Sequence, residues 1–100
     1  MAHFIVTFRI AEDETYQKRY DALVDAVATI TDGKVWGETT SFFAFEERDK
    51  TVDEVAAYLQ LIGDLRREKD IVVVIDLDTR RKVIIGKLED ERQLTKYLGF

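Results

Sequence analysis

The stretch from Asp70 to Lys87, DIVVVIDLDTRRKVIIGK, constrains the fold of this chain more than any other part of the sequence. Five consecutive β-branched residues, 71–75, are too few for a typical helix and too uniformly apolar for a strand with one wet face. A second apolar run follows at 83–85, and the polar segment between the two runs is long enough to reverse the chain. The stretch therefore predicts an antiparallel hairpin whose first strand is covered on both faces.

Size and composition indicate one globular domain spanning residues 1–100. The chain is 46% hydrophobic and 35% charged, and its longest apolar run is far below the roughly 20 residues of a membrane span. It contains no cysteine, and its N-terminus lacks a basic stretch followed by an apolar one. We therefore expect a cytoplasmic protein with no membrane partner, no disulfide and no cofactor. A formal net charge of -5 disfavours broad attraction to nucleic acid, because phosphate binding depends on clustered Lys and Arg.

The first half of the chain predicts a strand, a helix and two further strands. Residues 3–10 alternate, with Phe4, Val6, Phe8 and Ile10 on one face and Ile5, Thr7 and Arg9 on the other. Asp13 can cap the helix, and Gly33 can end it. The apolar stripe predicted for this helix is Tyr16, Tyr20, Leu23, Val24, Val27 and Ile30. Segments 34–38 and 40–46 then predict the second and third strands.

The second half repeats this order. Thr51 and Glu54 match a capping box, which predicts a second helix ending near Gly63. The hairpin follows, and residues 89–98 predict a short terminal helix. The fold class is therefore α+β, a ferredoxin-like βαββαβ arrangement with an additional C-terminal strand and a short helix, and with both main helices on one face of the sheet.

The opposite sheet face has no helix to cover it. It carries apolar side chains from several strands, and a large exposed apolar surface usually marks an interface. A second copy of the same sheet would give an isologous homodimer, and the strand at 83–86 offers an alternative by adding to the edge of a partner sheet. The predicted interface residues are Ile5, Phe42, Ala44, Val83, Ile84 and Ile85.

The chain resembles the CRISPR-associated protein two family, small ferredoxin-fold dimers of spacer acquisition. The segments that carry the resemblance are FIVTFRI, ETTSFFAFEE and DIVVVIDL. Segment 41–45 resembles the serine-led apolar strand of that family. The resemblance implies dimerisation through the sheet, with Val83 to Gly86 as a strand that extends to the partner. Some members of the family are metal-dependent nucleases, and others are non-catalytic DNA-binding scaffolds.

The chain departs from the nuclease members of that family at Arg9. Those members carry an aspartate directly after an aromatic residue at the end of the first strand, whereas this chain has Phe8 followed by Arg9. A guanidinium repels a divalent cation and supplies no oxygen ligand. The resemblance therefore implies the fold and the dimer more than it implies catalysis.

Three groups of charged residues are candidate binding sites. If the loops fold back, Glu12, Glu46 and Glu47 could gather to bind Mg²⁺, although a solvated acidic rim is the preferred interpretation. Asp76 and Asp78 follow an apolar strand, where they could likewise hold a metal or act as bases, but a turn-forming Asp78 and a solvent-facing Asp76 are the preferred interpretation. The basic cluster Arg80, Arg81 and Lys82 lies on a hairpin tip, where it either contacts a nucleic acid or discourages aggregation through the sheet edge.

Other residues give little support to catalysis. Ser41 has no plausible base, since His3 is the only histidine of the chain. Tyr16, Tyr20 and Trp36 fit core or interface positions better than base-stacking ones.

These observations favour a non-catalytic, homodimeric scaffold or interaction protein, with a nucleic acid or another protein as a further partner. The alternative is a metal-dependent endonuclease or nucleic-acid-binding protein that uses Glu12, Glu46, Glu47 or Asp76 with the basic tip. A third hypothesis is a small-ligand sensor domain, since this fold hosts many functions. One signature of such a domain, a glycine-rich phosphate-binding turn, is missing from the sequence.

Overall fold

The computed structural model describes residues 1–100 as a four-stranded antiparallel sheet with three helices. This architecture confirms the predicted α+β, ferredoxin-like fold class with its C-terminal helix. The elements are β1 (Ala2–Arg9), α1 (Tyr16–Thr31), β2 (Phe42–Glu47), α2 (Val52–Ile62), β3 (Ile71–Asp76), β4 (Arg81–Ile85) and α3 (Glu91–Leu98).

The strand order in the sheet is β2-β1-β3-β4, so β1 and β3 are the two central strands. Every neighbouring pair is antiparallel, and Ile5 of β1 lies opposite both Ala44 of β2 and Ile75 of β3. The predicted hairpin forms between β3 and β4, with Asp76 opposite Arg81 at its turn. The apolar character of β3 follows from its central position in the sheet, because both of its faces are buried.

The prediction of a regular strand at 34–38 is wrong. This segment is reduced to a single bridge, in which Trp36 and Ala44 exchange two backbone hydrogen bonds of 2.9 Å. The segment is too short for more pairs, because the chain turns again directly before β2, where Ser41 takes a left-handed backbone conformation with φ 57°. The bridge still places Trp36 on the same sheet face as Ala44.

The main core lies between the sheet and the helices α1 and α2. Its sixteen buried side chains come from both helices, all four strands and the connections between them. They are Phe4, Val6, Phe8, Ile10, Leu23, Ala26, Val27, Phe45, Val52, Val55, Ala56, Leu59, Leu65, Val72, Val74 and Ile85.

The buried face of α1 differs from the predicted stripe. Its buried residues are Arg19, Leu23, Ala26, Val27 and Thr31, while the predicted core positions Tyr16, Tyr20, Val24 and Ile30 are only half-buried. The buried face is therefore shifted around the helix axis relative to the prediction, and it includes a charged residue, Arg19. Asp13 does not cap the helix either, since Thr15 holds the N-cap position.

Helix α2 begins and ends as its sequence predicts. The Glu54 backbone N–H donates to the Thr51 hydroxyl at 3.1 Å, and the Thr51 backbone N–H donates to the Glu54 carboxylate at 2.9 Å. The hydrogen bond from the Thr51 backbone N–H, followed by one from the Thr51 side chain to the carboxylate, lowers the pKa of Glu54. Gly63 is the C-cap residue. None of the three helices combines the length and apolar character needed to cross a bilayer.

The sheet face opposite α1 and α2, here called the helix-free face, has a covered half and an open half. On its β3 and β4 side, Val73 and Ile75 are only 6% and 7% exposed, although neither belongs to the main core. Lys82, which lies opposite Ile75, contacts Phe100 through its Nζ. The C-terminal segment therefore lies beside this half of the face.

The open half of the helix-free face, here called the open patch, consists of Ile5, Trp36, Phe42 and Ala44. Trp36 is 44% exposed, and the other three side chains are half-buried. The Trp36 and Phe42 rings meet edge to face, with centroids 6.0 Å apart. The patch is therefore a continuous apolar surface on β1, β2 and the Trp36 bridge.

Candidate functional site

A fully buried ion pair joins α1 to the start of β3. The Arg19 and Asp70 side chains are both fully buried, and Nη1 of Arg19 donates to both carboxylate oxygens of Asp70. The Asp70 carboxylate also accepts the backbone N–H groups of Ala11 at 2.9 Å and Arg66 at 3.0 Å. Four donor contacts thus hold one buried carboxylate, which connects the end of β1, the helix α1 and the connection before β3.

The remaining donors of Arg19 are also satisfied. Nη2 donates to the Ala11 carbonyl at 3.0 Å and to the Asp13 carboxylate at 2.8 Å, and Nε donates to the Thr15 hydroxyl at 3.0 Å. Asp13 also forms an ion pair with Lys69. No buried side-chain nitrogen or oxygen in the chain lacks a hydrogen-bond partner, which is the condition under which a buried charge is tolerated.

The pKa values of the two acidic residues in this network are lowered. The hydrogen bond from Lys69, followed by that from Arg19, holds the pKa of the Asp13 carboxyl well below its usual range. Burial by itself raises the pKa of Asp70, but hydrogen bonds from Arg19 and from the backbone of Ala11 and Arg66 outweigh it, so the pKa of Asp70 is lowered. Both carboxylates therefore favour the folded state while they are ionised.

This network predicts a loss of stability in acid. Because the folded-state pKa of Asp13 and Asp70 lies below the usual value of 3.8, their contribution is complete above that value and is lost as the pH falls through the folded-state pKa. We expect the free energy of unfolding to fall steadily below about pH 4, and to fall less steeply in the Asp13→Asn variant. Urea unfolding at a series of pH values measures this slope.

The control for that measurement is Asp21→Asn, whose carboxylate accepts a hydrogen bond from the Gln17 amide at 2.8 Å and touches no cation. It should keep the acid slope of the unsubstituted protein. Equal slopes for Asp13→Asn and the unsubstituted protein would contradict the role given to Asp13.

A cleft of about 460 Å³ opens at the end of β1, next to this network. We call it the Arg9 cleft. Its polar and aromatic lining consists of Phe8, Arg9, Glu12, Tyr16, Tyr20, Ser41 and Lys69. The Tyr16 and Tyr20 ring centroids are 5.8 Å apart, and Tyr20 lies 5.9 Å from Phe8. Tyr16 and Tyr20 thus form a wall of the cleft. The helical spacing had placed both of them in the core.

The structure does not bring together the three carboxylates predicted to hold a metal. Glu46 and Glu47 lie opposite His3 and Ala2 at the start of β1, whereas Glu12 follows the end of that strand. The loops do not fold back to close this distance, since antiparallel pairing sets the two ends of β1 apart by about 23 Å. No group of three or more metal-ligating side chains is assembled anywhere in the chain.

The predicted nucleic-acid contacts Arg80, Arg81 and Lys82 are all engaged within the chain. Arg80 donates to the Gly99 carbonyl at 3.2 Å and lies 5.4 Å from the Phe100 ring centroid. Lys82 contacts the carbonyl of the same Phe100, and Arg81 pairs with Asp53 at 3.5 Å. The basic tip thus holds the C-terminal segment and α2, a use that its position in the hairpin alone did not indicate.

The six predicted interface residues fall on both faces of the sheet. Ile5, Phe42, Ala44 and Ile84 lie on the helix-free face, as the register shows. Ile85 lies opposite Val72 and belongs to the main core, and Val83 packs against that core. Because alternate residues of a strand point to opposite faces, the side chains of Val83 and Ile85 are not available to a partner on the helix-free face.

His3 lies in β1, opposite Glu46 of β2. Its Nδ1 lies 2.9 Å from Asp78 and its Nε2 lies 3.3 Å from Glu46, while its backbone N–H donates to Asp78 at 2.6 Å. These contacts with His3 lower the pKa of Asp78. Asp76 accepts the backbone N–H groups of Asp78 and Thr79, as expected for a turn-forming aspartate.

Sequence reasoning missed the Arg19–Asp70 pair and the Arg9 cleft. One usable signal was present, since Arg19 is four residues before Leu23 and eight before Val27 and so lies on the buried face of α1. Comparison of the chain with protein-family models, with curated proteins and with solved structures gave no match.

Proposed function

We propose that this protein is a non-catalytic interaction module that forms a homodimer through the open patch. The observation that carries the proposal is the exposed apolar surface formed by Ile5, Trp36, Phe42 and Ala44 on the helix-free face. Exposed apolar surfaces of this kind usually mark an interface. The resemblance to the CRISPR-associated protein two family motivates the same arrangement, and the absence of cysteine supports a cytoplasmic location.

The charges around the open patch support a second copy of this chain as the partner. Arg9 lies at one end of the helix-free face of β1, and Glu46 lies at the opposite end on β2, beside His3. A twofold axis that runs parallel to the sheet and across the strands would place Arg9 of each copy over Glu46 of the other. The apolar residues between these ends would then meet each other, so the surface is complementary to itself in both charge and polarity.

The non-catalytic part of the proposal is supported by the positions of the charged residues. Glu12 is separated from Glu46 and Glu47, and the cationic Arg9 stands at the end of β1. Incubation of the purified protein with RNA, DNA and Mg²⁺ should leave both nucleic acids intact. Metal-dependent cleavage by the purified protein would favour the endonuclease alternative.

The dimer is tested by substitution of Trp36. Because Trp36 is the most exposed residue of the open patch, Trp36→Glu should leave the fold intact and place a charge in the interface. We expect the dissociation constant of the dimer to rise by more than about tenfold, as for a central aromatic interface residue. Light scattering at micromolar concentrations should give the mass of two chains for the unsubstituted protein and of one chain for the variant.

The matched control is Leu61→Glu on α2, which introduces the same charge at a side chain that is 80% exposed on the other side of the sheet. It should remain a dimer. The charge pairing is tested by Arg9→Glu and Glu46→Arg, each of which should weaken the dimer, while the two substitutions together should restore it. The proposal would be contradicted if the unsubstituted protein had the mass of one chain.

A further inference from the structure

The Arg9 cleft contains side-chain donors that the fold itself does not use. The side chains of Arg9, Tyr16, Tyr20 and Ser41 make no hydrogen bond and no ion pair within the chain. The neighbouring network of Arg19 and Asp70 is, in contrast, fully paired. The cleft is thus lined by an arginine and three hydroxyl-bearing residues whose side chains have no partner within the chain.

The charge of the cleft favours a small anion. Arg9 and Lys69 are its two cations, and Glu12 is its one lining carboxylate. Lys69 is also paired with Asp13, which leaves Arg9 as the cation without a partner. A guanidinium binds carboxylate and phosphate oxygens through paired hydrogen bonds, and tyrosine and serine hydroxyls can donate to the same oxygens.

The aromatic wall of the cleft favours a ligand that carries a ring. Tyr16, Tyr20 and Phe8 form a continuous series with successive centroid distances of 5.8 and 5.9 Å. These distances lie in the range in which aromatic rings attract one another. The volume of about 460 Å³ also falls within the range of small-molecule sites.

The buried network holds this cleft in place. Ala11, which lines the cleft, donates its backbone N–H to Asp70 at 2.9 Å, and its carbonyl accepts from Arg19 at 3.0 Å. Both backbone polar groups of this residue are therefore fixed by a buried ion pair. A site held in this way loses little conformational freedom when a ligand binds.

We propose that the Arg9 cleft is a binding site for a small aromatic oxyanion, a carboxylate or a phosphate ester on a single ring. Arg9 binds the oxyanion, and Tyr16 and Tyr20 pack against the ring. The site lies within one chain, so it goes beyond the proposed dimer and does not require it.

The proposal is tested by calorimetric titration of the protein with benzoate, phenyl phosphate, inorganic phosphate and benzyl alcohol. We expect benzoate, phenyl phosphate or both to bind with a dissociation constant below about 1 mM, and the preferred one identifies the oxyanion. Inorganic phosphate lacks the ring and benzyl alcohol lacks the charge, so each should bind more weakly by about tenfold or more.

Substitution of Arg9 locates the binding. Arg9→Gln should raise the dissociation constant of the preferred ligand by more than about tenfold, because a charge-assisted hydrogen bond is lost. Arg66→Gln is the matched control, since Arg66 is exposed, pairs with Asp64 at 3.8 Å and does not line the cleft. The proposed dimer would pair Arg9 with Glu46 of the second copy, so the Trp36→Glu variant, which separates the two copies, should bind the preferred ligand at least as tightly as the unsubstituted protein. The proposal would be overturned if neither benzoate nor phenyl phosphate saturates the protein. It would also be overturned if Arg9→Gln binds the preferred ligand as tightly as the unsubstituted protein does.

Discussion

Replacing Asp70 with asparagine should lower the free energy of unfolding by about 3–5 kcal/mol, because it leaves the buried guanidinium of Arg19 with only the partly exposed Asp13 carboxylate as a counter-charge. Arg19 is fully buried and directs Nη1 to both oxygens of Asp70, so no solvent can compensate for the lost charge. Urea unfolding followed by circular dichroism measures the change. If the free energy of unfolding falls with urea concentration at the same slope as in the unsubstituted protein, the variant unfolds from the same compact state.

A double-mutant cycle separates the pair from its surroundings. Arg19→Met should also destabilise the protein, but Asp70 then keeps the backbone N–H groups of Ala11 and Arg66 as partners. The variant with both substitutions should lose less than the sum of the two single losses, since neither buried charge remains. Additive losses would contradict a direct coupling between these side chains.

An exposed ion pair provides the control for the buried one. Arg81 and Asp53 lie 3.5 Å apart with both side chains more than 60% exposed. Arg81→Met should therefore cost no more than about 1 kcal/mol. A loss as large as that of Asp70→Asn would show that ion pairing in general, and not burial, determines the effect.

Replacing Gly86 with alanine should destabilise the protein by about 3 kcal/mol or more, through backbone strain and a steric clash together. Gly86 follows β4 with φ +98°, and a Cβ atom placed on it would lie 2.1 Å from the carbonyl oxygen of Asp70. The atom in the way belongs to the backbone beside the buried ion pair and cannot rotate aside. The same urea unfolding experiment measures this loss.

Gly33→Ala is the matched control for that substitution. Gly33 also has a positive φ of +76°, but a Cβ atom there would meet nothing within 4 Å. Gly33→Ala should lower the free energy of unfolding only by the cost of a positive φ for alanine, about 1 kcal/mol. Similar losses at the two glycines would contradict the steric part of the argument at Gly86.

Local sequence signals predicted most of the elements. The alternation of β1, the capping box at Thr51 and Glu54, and the β3–β4 hairpin each depend on neighbouring residues, and each is present in the structure. Segment 34–38 was overestimated because a local pattern shows what can form a strand but not how many residues find a partner. Pairing across a sheet is decided by residues that are distant in the chain.

The site depended on contacts that no local pattern shows. Arg19 and Asp70 are 51 residues apart, and the residues of the Arg9 cleft come from the end of β1, from α1 and from three connections. A charged residue within an apolar helical stripe was the one sign of the buried pair. Arg9 was singled out from the sequence as an obstacle to a metal site, and the structure adds the aromatic wall beside it.

The helix-free face was predicted in part. Its apolar character follows from Ile5, Phe42 and Ala44, but the half over β3 and β4 is shielded within the chain. The C-terminal segment lies beside this half, because Phe100 contacts Arg80 and Lys82 at the hairpin tip. The surface left for a partner is therefore smaller than the sequence suggested, and Trp36 lies within it.

The fluorescence of Trp36, the one tryptophan of the chain, tests the proposed dimer most directly. Trp36 is 44% exposed in the single chain and would be covered in the dimer. We expect its emission to shift to shorter wavelength as the protein concentration rises through the dissociation constant, and the Leu61→Glu variant to follow the same curve. An emission maximum that stays constant across this range, together with a scattering mass of one chain, would contradict the homodimer.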